Sequence, residues 1–248
     1  MSSMPQKQAL GFSLKPVASF VPTHCGACTL REGRPLCSVA SRAEGSLDHQ
    51  VYSRRRVMRG EALYCAGSTF ASLYAVRTGF FKSRVVLEDG RDQVTAFHMA
   101  GEIVGLDGLG GGTHMSDLLA LEDSDVCVIP YADLEQPEVQ RKLHKLMSRE
   151  LVRDQGVMLL LGTIHSEERL AAFLLNLSQR FLARGYSPSD FHLRMTRDEI
   201  GSYLGLALET VSRLFSRFGE DGLISVQQKH IRILDVPGLK AVMTRDAS

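Results

Sequence analysis

A chain of 248 residues is long enough for two domains with separate cores. Apolar residues make up 44% and charged residues 23%, a globular balance that excludes a disordered chain, and no apolar run approaches the roughly 20 residues that span a bilayer. The formal net charge of +1 excludes a strongly basic nucleic-acid binder, so contact with a polyanion has to come from locally placed cations.

Met1 to Phe20 has neither the basic start nor the apolar centre of a secretory signal, so a cytoplasmic location is expected. Residues 1–45 show little periodicity and read as an irregular arm. Of the five cysteines, Cys25, Cys28 and Cys37 crowd this arm. In a cytosolic chain such crowding points to metal or redox chemistry, not to disulfides.

From Val51 to Val128 short apolar runs alternate with turn signals: Ser72–Val76 before Thr78-Gly79, Phe80–Leu87 before Asp89-Gly90, and Val94–Phe97 before Ala100-Gly101. This spacing predicts a small antiparallel barrel or roll. Cys65, within a strand-and-turn stretch, reads as a small buried hydrophobe. The Gly105–Gly112 segment lacks the Gly-Lys-Ser/Thr ending of a phosphate loop and reads as a roll-tip loop.

The period becomes helical from Pro137 to Leu161. Met147, Leu151, Asp154, Met158 and Leu161 recur in steps of four and three, which fits either a dimer seam or a core helix. In a seam, Asp154 would face its own copy across the axis and weaken association. Ser166 is read as the N-cap of a further helix carrying Leu170, Phe173, Leu174, Leu177 and Phe181, which Arg184 to Pro188 ends.

Thr196 and Glu199 form a capping-box pattern that starts a helix over Arg197–Leu204, and Gly205 supplies the left-handed turn. In a second helix, Ala207 to Phe218, Leu208, Val211, Leu214 and Phe215 fall on an inward face. Glu209, Ser212, Arg213 and Ser216 fall on the exposed one. Gly222 to Ile233 reads as a hairpin wing, with Lys229 and Arg232 available to phosphates. Two packed helices of an enzyme domain would share the spacing. The exposed triplet favours double-stranded DNA: Arg binds guanine bidentately and Glu accepts from cytosine.

The segment Met195 to Arg217, MTRDEIGSYLGLALETVSRLFSR, resembles the helix-turn-helix of the CRP/FNR family of bacterial regulators. Glu209 to Arg213, ETVSR, resembles the FNR branch; the cAMP-responsive branch has an additional Arg where this chain has Leu208. The resemblance extends through residues 167–173, the preceding helix, the strand-rich region and Cys127, and covers the chain from about residue 50.

That resemblance implies an α+β fold: a cluster-binding arm (1–45), a β-roll sensor resembling cyclic-nucleotide-binding domains (46–135), a dimerisation helix (136–163) and a winged helix-turn-helix (164–248). It implies a transcription regulator, not an enzyme, that acts as a homodimer. Glu209, Ser212 and Arg213 would read TTGAT-like inverted repeats, with Thr196, Arg197, Thr210 and Arg217 beside them on DNA. It further implies an oxygen-labile [4Fe-4S] cluster on Cys25, Cys28, Cys37 and Cys127, which favours the dimer at low oxygen and is lost in air. Glu88-Asp89 becomes a contact for RNA polymerase. The arm spacing here is C-x2-C-x8-C, with three residues more than the common pattern between the second and third cysteines; loop length costs little. A zinc site recruiting His24, or a thiol pair, would use the same cysteines. An iron–sulfur electron carrier would have no use for residues 196–233. Gly101-Glu102-Ile103 resembles half of a nucleotide-phosphate site, but Thr113 to Leu119 has no Arg, so no cyclic nucleotide is expected. No membrane partner is expected.

Overall fold

The strand-forming runs pair into two antiparallel sheets that pack face to face. The computed structural model describes residues 21–23, 52–135, 137, 139–141, 143–148, 151–152, 155 and 165–243. One sheet runs β1-β2-β9-β4-β7, from Val21–Thr23, Tyr52–Val57, Ser124–Pro130, Ser72–Thr78 and Ile103–Val104. The other runs β3-β8-β5-β6, from Ala62–Tyr64, Asp117–Ala120, Phe80–Val86 and Asp92–Met99.

Alternation along each strand sorts side chains between layers. Val57, Val76, Phe81, Leu118 and Val126 point into the roll and form its interior with Leu63 and Tyr64. Their neighbours Leu73, Ala75 and Ile129 point the other way, onto a 3₁₀ turn at Tyr131–Glu135 and onto a helix, α1, whose described residues lie between 137 and 155. Val139 and Leu143 are buried there, one helical turn apart, while Met147 (38% exposed) and Leu151 (62% exposed) lie outside the contact.

Strand β5 follows β4 through Gly79 at φ 99°, and a Cβ there would lie 2.7 Å from Ser124 Cα. The hairpin tip is closed by Leu87 and Arg91, with Gly90 at φ 82°.

Helix α2, Ser166–Leu182, buries Leu170, Phe173, Leu174 and Leu177. Its cap position is His165, not Ser166, and carries no side-chain cap; the acids Glu167 and Glu168 in the first turn complement the helix dipole instead. Helices α3 (Arg197–Leu204) and α4 (Leu208–Glu220) follow, with β10 (Asp190–His192), β11 (Ile224–Gln227) and β12 (His230–Ile233) forming a third sheet and α5 (Val236–Val242) closing the chain. This is the expected α+β architecture, a roll followed by a winged helix-turn-helix.

The two halves share one core. Phe80, Val94, Phe97 and Met99, on the outer face of the second sheet, belong to the same buried cluster as Phe173, Leu177, Ile200, Val211 and Phe215. Phe97 packs edge-on to Tyr203 with centroids 5.2 Å apart. Polar contacts follow the same joint: Val94 N–H donates to Ser202 Oγ (2.8 Å), and Lys82 Nζ pairs with Glu199 (2.7 Å). Because β6 is an edge strand, α3 covers backbone that would otherwise be open to another chain.

Candidate functional site

The capping box is present as read. Thr196 Oγ1 accepts from Glu199 N–H (3.1 Å), and Glu199 Oε2 accepts from Thr196 N–H (2.6 Å). Gly205 ends α3 at φ 64°, ψ 39°, and Leu206 N–H returns to Gly201 carbonyl at 2.9 Å. The turn also needs Gly201, because a Cβ there would lie 2.5 Å from Leu206 carbonyl oxygen. The chain can therefore reverse tightly enough to set α4 across α3.

Val211, Leu214, Phe215 and Phe218 bury one face of α4, and Glu209, Ser212, Arg213 and Ser216 are exposed on the other. The side chains of Glu209 and Arg213 make no hydrogen bond or ion pair among the described residues, so both are available to a ligand. Thr196 is exposed and Thr210 half-buried. Leu208 departs from its expected inward place: at 43% exposure it opens the helix, where the packed face has not yet begun. Arg217 is engaged with Glu167 of α2 and lies 3.9 Å from Asp221. The guanidinium of Arg197 lies 3.2 Å over the Phe215 ring, and burial brings its pKa down to about 10.

At the wing, Lys229 Nζ donates to Arg194 carbonyl (3.3 Å). Arg232 Nε and His230 Nε2 both bind Asp190, at 3.0 and 2.5 Å. The His230 hydrogen bond, then that of Arg232, holds the Asp190 carboxyl below its usual range.

Cys25, Cys28 and Cys37 lie outside the described residues, as do Asp154, Met158 and Leu161. Cys127, on β9, is half-buried and packs against the cluster that contains Val139 and Leu143 of α1. Across the sheet its partners are Arg54 on β2 and Ala75 on β4, and Arg54 pairs in turn with Val21 of β1. Opposed residues share a face, so the Arg54 side chain lies on the Cys127 face. Arg54 Nε is buried and has no hydrogen-bond partner among the described residues. Among the described residues no group of three or more His, Cys, Asp or Glu could hold a metal. Cys65 is exposed in the turn after β3, contrary to the buried reading. Partial desolvation in the turn and the nearby Asp117 carboxylate push its thiol up, which leaves it a poor nucleophile.

Two buried histidines carry no signal in the sequence, because the side chains that meet them stand on other elements of the roll. His98 meets Ser83 Oγ at 2.8 Å inside the roll. His114 stacks on Tyr64 with centroids 3.7 Å apart, and its Nδ1 lies 3.2 Å from Asp107. The other Asp107 oxygen accepts Met115 N–H (3.0 Å), Ser116 N–H (3.2 Å) and Ser116 Oγ–H (3.1 Å). Consecutive backbone N–H groups converging on one oxygen form an anion nest, and the chain fills it with its own carboxylate. Glu102 is committed as well: it binds Arg180 at 2.8 Å and Arg184 at 2.6 Å, both on α2.

The family model of the Crp-like helix-turn-helix domain matches residues 168–242, and that of the cyclic nucleotide-binding domain matches residues 54–137. Transcriptional regulatory protein btr of Bordetella pertussis is 45% identical over 229 residues, 90% of this chain and 95% of its own. Transcriptional activator protein anr of Pseudomonas aeruginosa is 44% identical over 88% of this chain and 92% of its own. The fumarate and nitrate reduction regulatory protein of Escherichia coli (strain K12) is 43% identical over 85% and 86%. Among solved structures, FixK2 from Bradyrhizobium japonicum gives a TM-score of 0.73 at 32% identity, covering 79% of this chain and all of its own. With the matched reader, the matched roll and relatives alike over nearly their full length, the chain belongs to the CRP/FNR family of DNA-binding transcription regulators.

Proposed function

We propose that this regulator is a homodimer that responds to oxygen through a [4Fe-4S] cluster on Cys25, Cys28, Cys37 and Cys127, and reads TTGAT-like inverted repeats when the cluster is intact. The observation that carries the reading is the order β1-β2-β9. It brings Val21–Thr23 into the sheet of Cys127, one strand removed and with Val21 in the row of Arg54 and Cys127, and Cys25 follows Thr23 by two residues, a reach of about 7 Å. Four cysteines are the donor set of such a cluster, and the names of the fumarate and nitrate reduction relatives accord with anaerobic control. Bound there, the cluster would supply oxygen-labile redox chemistry.

The chain's own residues give the site a route to the helix. Cys127 packs against the cluster that buries Val139 and Leu143, so a change in the Cys127 side chain is felt by α1. Met147 and Leu151, away from the roll, begin the stripe that Met158 and Leu161 continue along the chain, interrupted by the charged Asp154, and this stripe is the proposed seam. The domain division is the one given above: arm 1–45, roll 46–135, helix 136–163 and reader 164–248. In the reader, Arg213 takes guanine, Glu209 the opposed cytosine and Ser212 a neighbouring base, with Thr196, Thr210 and Arg217 at the flank. Arg197 supports α4 from beneath. Glu88-Asp89, at the β5–β6 tip, is offered to RNA polymerase. The roll takes no cyclic nucleotide, because Asp107 occupies the nest and Glu102 is held by α2.

Anaerobic purification tests the reading. Brown protein with about four irons per chain, dimeric and DNA-binding until air bleaches it, is the expected result. Colourless protein containing zinc overturns the cluster. Asp154→Ala is expected to remain dimeric and DNA-binding in air; a monomer overturns the seam.

A further inference from the structure

Helix α3 is fastened to the roll by its own side chains. Glu199 Oε1 accepts from Lys82 Nζ of β5 at 2.7 Å, while Oε2 closes the capping box on Thr196 N–H. Three residues further along α3, Ser202 Oγ accepts Val94 N–H at 2.8 Å and donates to Asp92 carbonyl at 3.2 Å. One hydroxyl thereby serves a donor and an acceptor of edge strand β6, as a neighbouring strand would. Gln93 Nε2 donates back to the Ser202 carbonyl, and Tyr203 lies edge-on to Phe97. The Lys82 and Glu199 side chains are 17% and 16% exposed, so salt screens their pairing only weakly. Lys82 stands opposite Phe97 in the β5–β6 hairpin, and Asp92 to Val94 lie nearer its tip. Contacts at these separate points stop α3 from pivoting about any one of them. Helix α4 is carried with it, since Ile200 and Val211 are buried in one core.

We infer that Lys82, with Ser202, determines which spacing of the two half-sites the regulator accepts. The inference rests on the homodimer proposed above and is independent of what the cysteines hold. Half-site spacing follows from how far apart, and at what relative twist, a dimer holds its two recognition helices. A reader on a flexible linker would accept several spacings. Here the clip holds each reader at a fixed attitude to its own roll. An extra base pair between the half-sites turns one against the other by about 35° and moves it by about 3.4 Å. To follow, a reader has to break the Lys82–Glu199 pair and the Ser202 hydrogen bonds. The wrong spacing is therefore penalised by the strength of the clip, beyond what the apolar part of the joint resists. Lys82 acts on DNA through α3 and is a positioning residue.

The test compares Lys82→Met, Lys82→Arg and Ser202→Ala with the wild-type full chain, all purified anaerobically. The wild type first selects its half-site from a randomised duplex pool. Affinity is then measured for inverted repeats of that half-site with the preferred spacer, for spacers one base pair shorter and longer, and for a single half-site. Lys82→Met is expected to reduce the wild-type preference between spacers about ten-fold, the equivalent of one charge-assisted hydrogen bond. Ser202→Ala, which removes neutral hydrogen bonds, is expected to reduce it about three-fold. Lys82→Arg, which keeps the cation, is expected to retain most of the preference. All three are expected to hold the single half-site as wild type does, which a damaged reader would not do. An unchanged preference in Lys82→Met, or an affinity lowered equally at every spacer and at the single half-site, overturns the inference and leaves the homodimer standing. A wild type that occupies the repeat as one chain per duplex overturns both.

Discussion

Glu102→Gln removes one negative charge and almost no volume from the joint between roll and reader. The Glu102 side chain is 13% exposed and those of Arg180 and Arg184 16% and 15%, so the three charges are largely out of water. Breaking a buried pair by removing one partner costs about 3–5 kcal/mol. Here the arginines keep carbonyl acceptors: Arg180 donates to Phe97 at 2.7 Å, and Arg184 to Ala100 at 2.5 Å and Arg180 at 2.6 Å. These contacts, with the residual exposure, reduce the expected loss to about 2–3 kcal/mol. At about 2–4 °C per kcal/mol for a chain of this size, the melting temperature should fall by roughly 5–10 °C. Thermal and urea unfolding of the iron-free protein measure it. Combining Glu102→Gln with Arg184→Met gives the coupling, which should exceed about 1 kcal/mol. A loss under about 0.5 kcal/mol, typical of an exposed pair, would refute the reasoning and return Glu102 to the role of a ligand-facing residue.

Other substitutions separate reading from packing. Arg213→Ala should cost about 1–3 kcal/mol in DNA binding and relax choice at one base pair, measured across a set of half-site variants. Uniform weakening would make it a phosphate contact. Arg197→Met should leave the salt dependence of DNA binding unchanged, because the guanidinium sits over Phe215; a slope lower by about one would place it on a phosphate. Burial pulls the Glu199 carboxyl up, but Lys82 and the Thr196 N–H outweigh it and hold it below its usual value of 4.5. The stability that Glu199 contributes is therefore present above pH 4.5 and lost as pH falls through the lower folded value. Glu199→Gln should destabilise at neutral pH and match wild type in acid; a gap that persists in acid contradicts this. Gly79→Ala drives a Cβ to 2.5 Å from Ser124 Cβ at φ 99° and should cost about 3 kcal/mol. Gly60→Ala, at φ 84° with nothing within 4 Å, should cost only about 1 kcal/mol. Equal losses in thermal melts would refute the steric account.

The elements legible in the sequence are those whose signals are local. Thr196 and Glu199 are three residues apart, Gly205 adjoins the helix it ends, and the turns at Gly79, Gly90 and Gly101 punctuate strands of the expected alternation. The exposed face of α4 followed from its period, except at Leu208, where the helix begins before its packed face does. What stayed hidden depends on long-range partners. Asp107 is eight residues from the backbone N–H of Met115, and Glu102 is 78 from Arg180. Arg54 is one of several arginines in its strand, and only the register opposite Cys127 distinguishes it. Cys65 departs from its residue type, which predicts burial on average, because it occupies an exposed turn.

The core shared between the second sheet and the reader has a thermodynamic consequence. Phe173 and Tyr203 pack on Phe97, so a reader cut away at residue 165 would present an aromatic patch to water. Such a fragment would self-associate or lose its fold, and the intact chain should melt in one transition instead of two. A regulator joined in this way cannot swing its reader as a free module on a tether. Whatever moves the recognition helix has to slide or tilt a continuous packed interface, and each such movement is resisted by the same contacts that hold the sensor together.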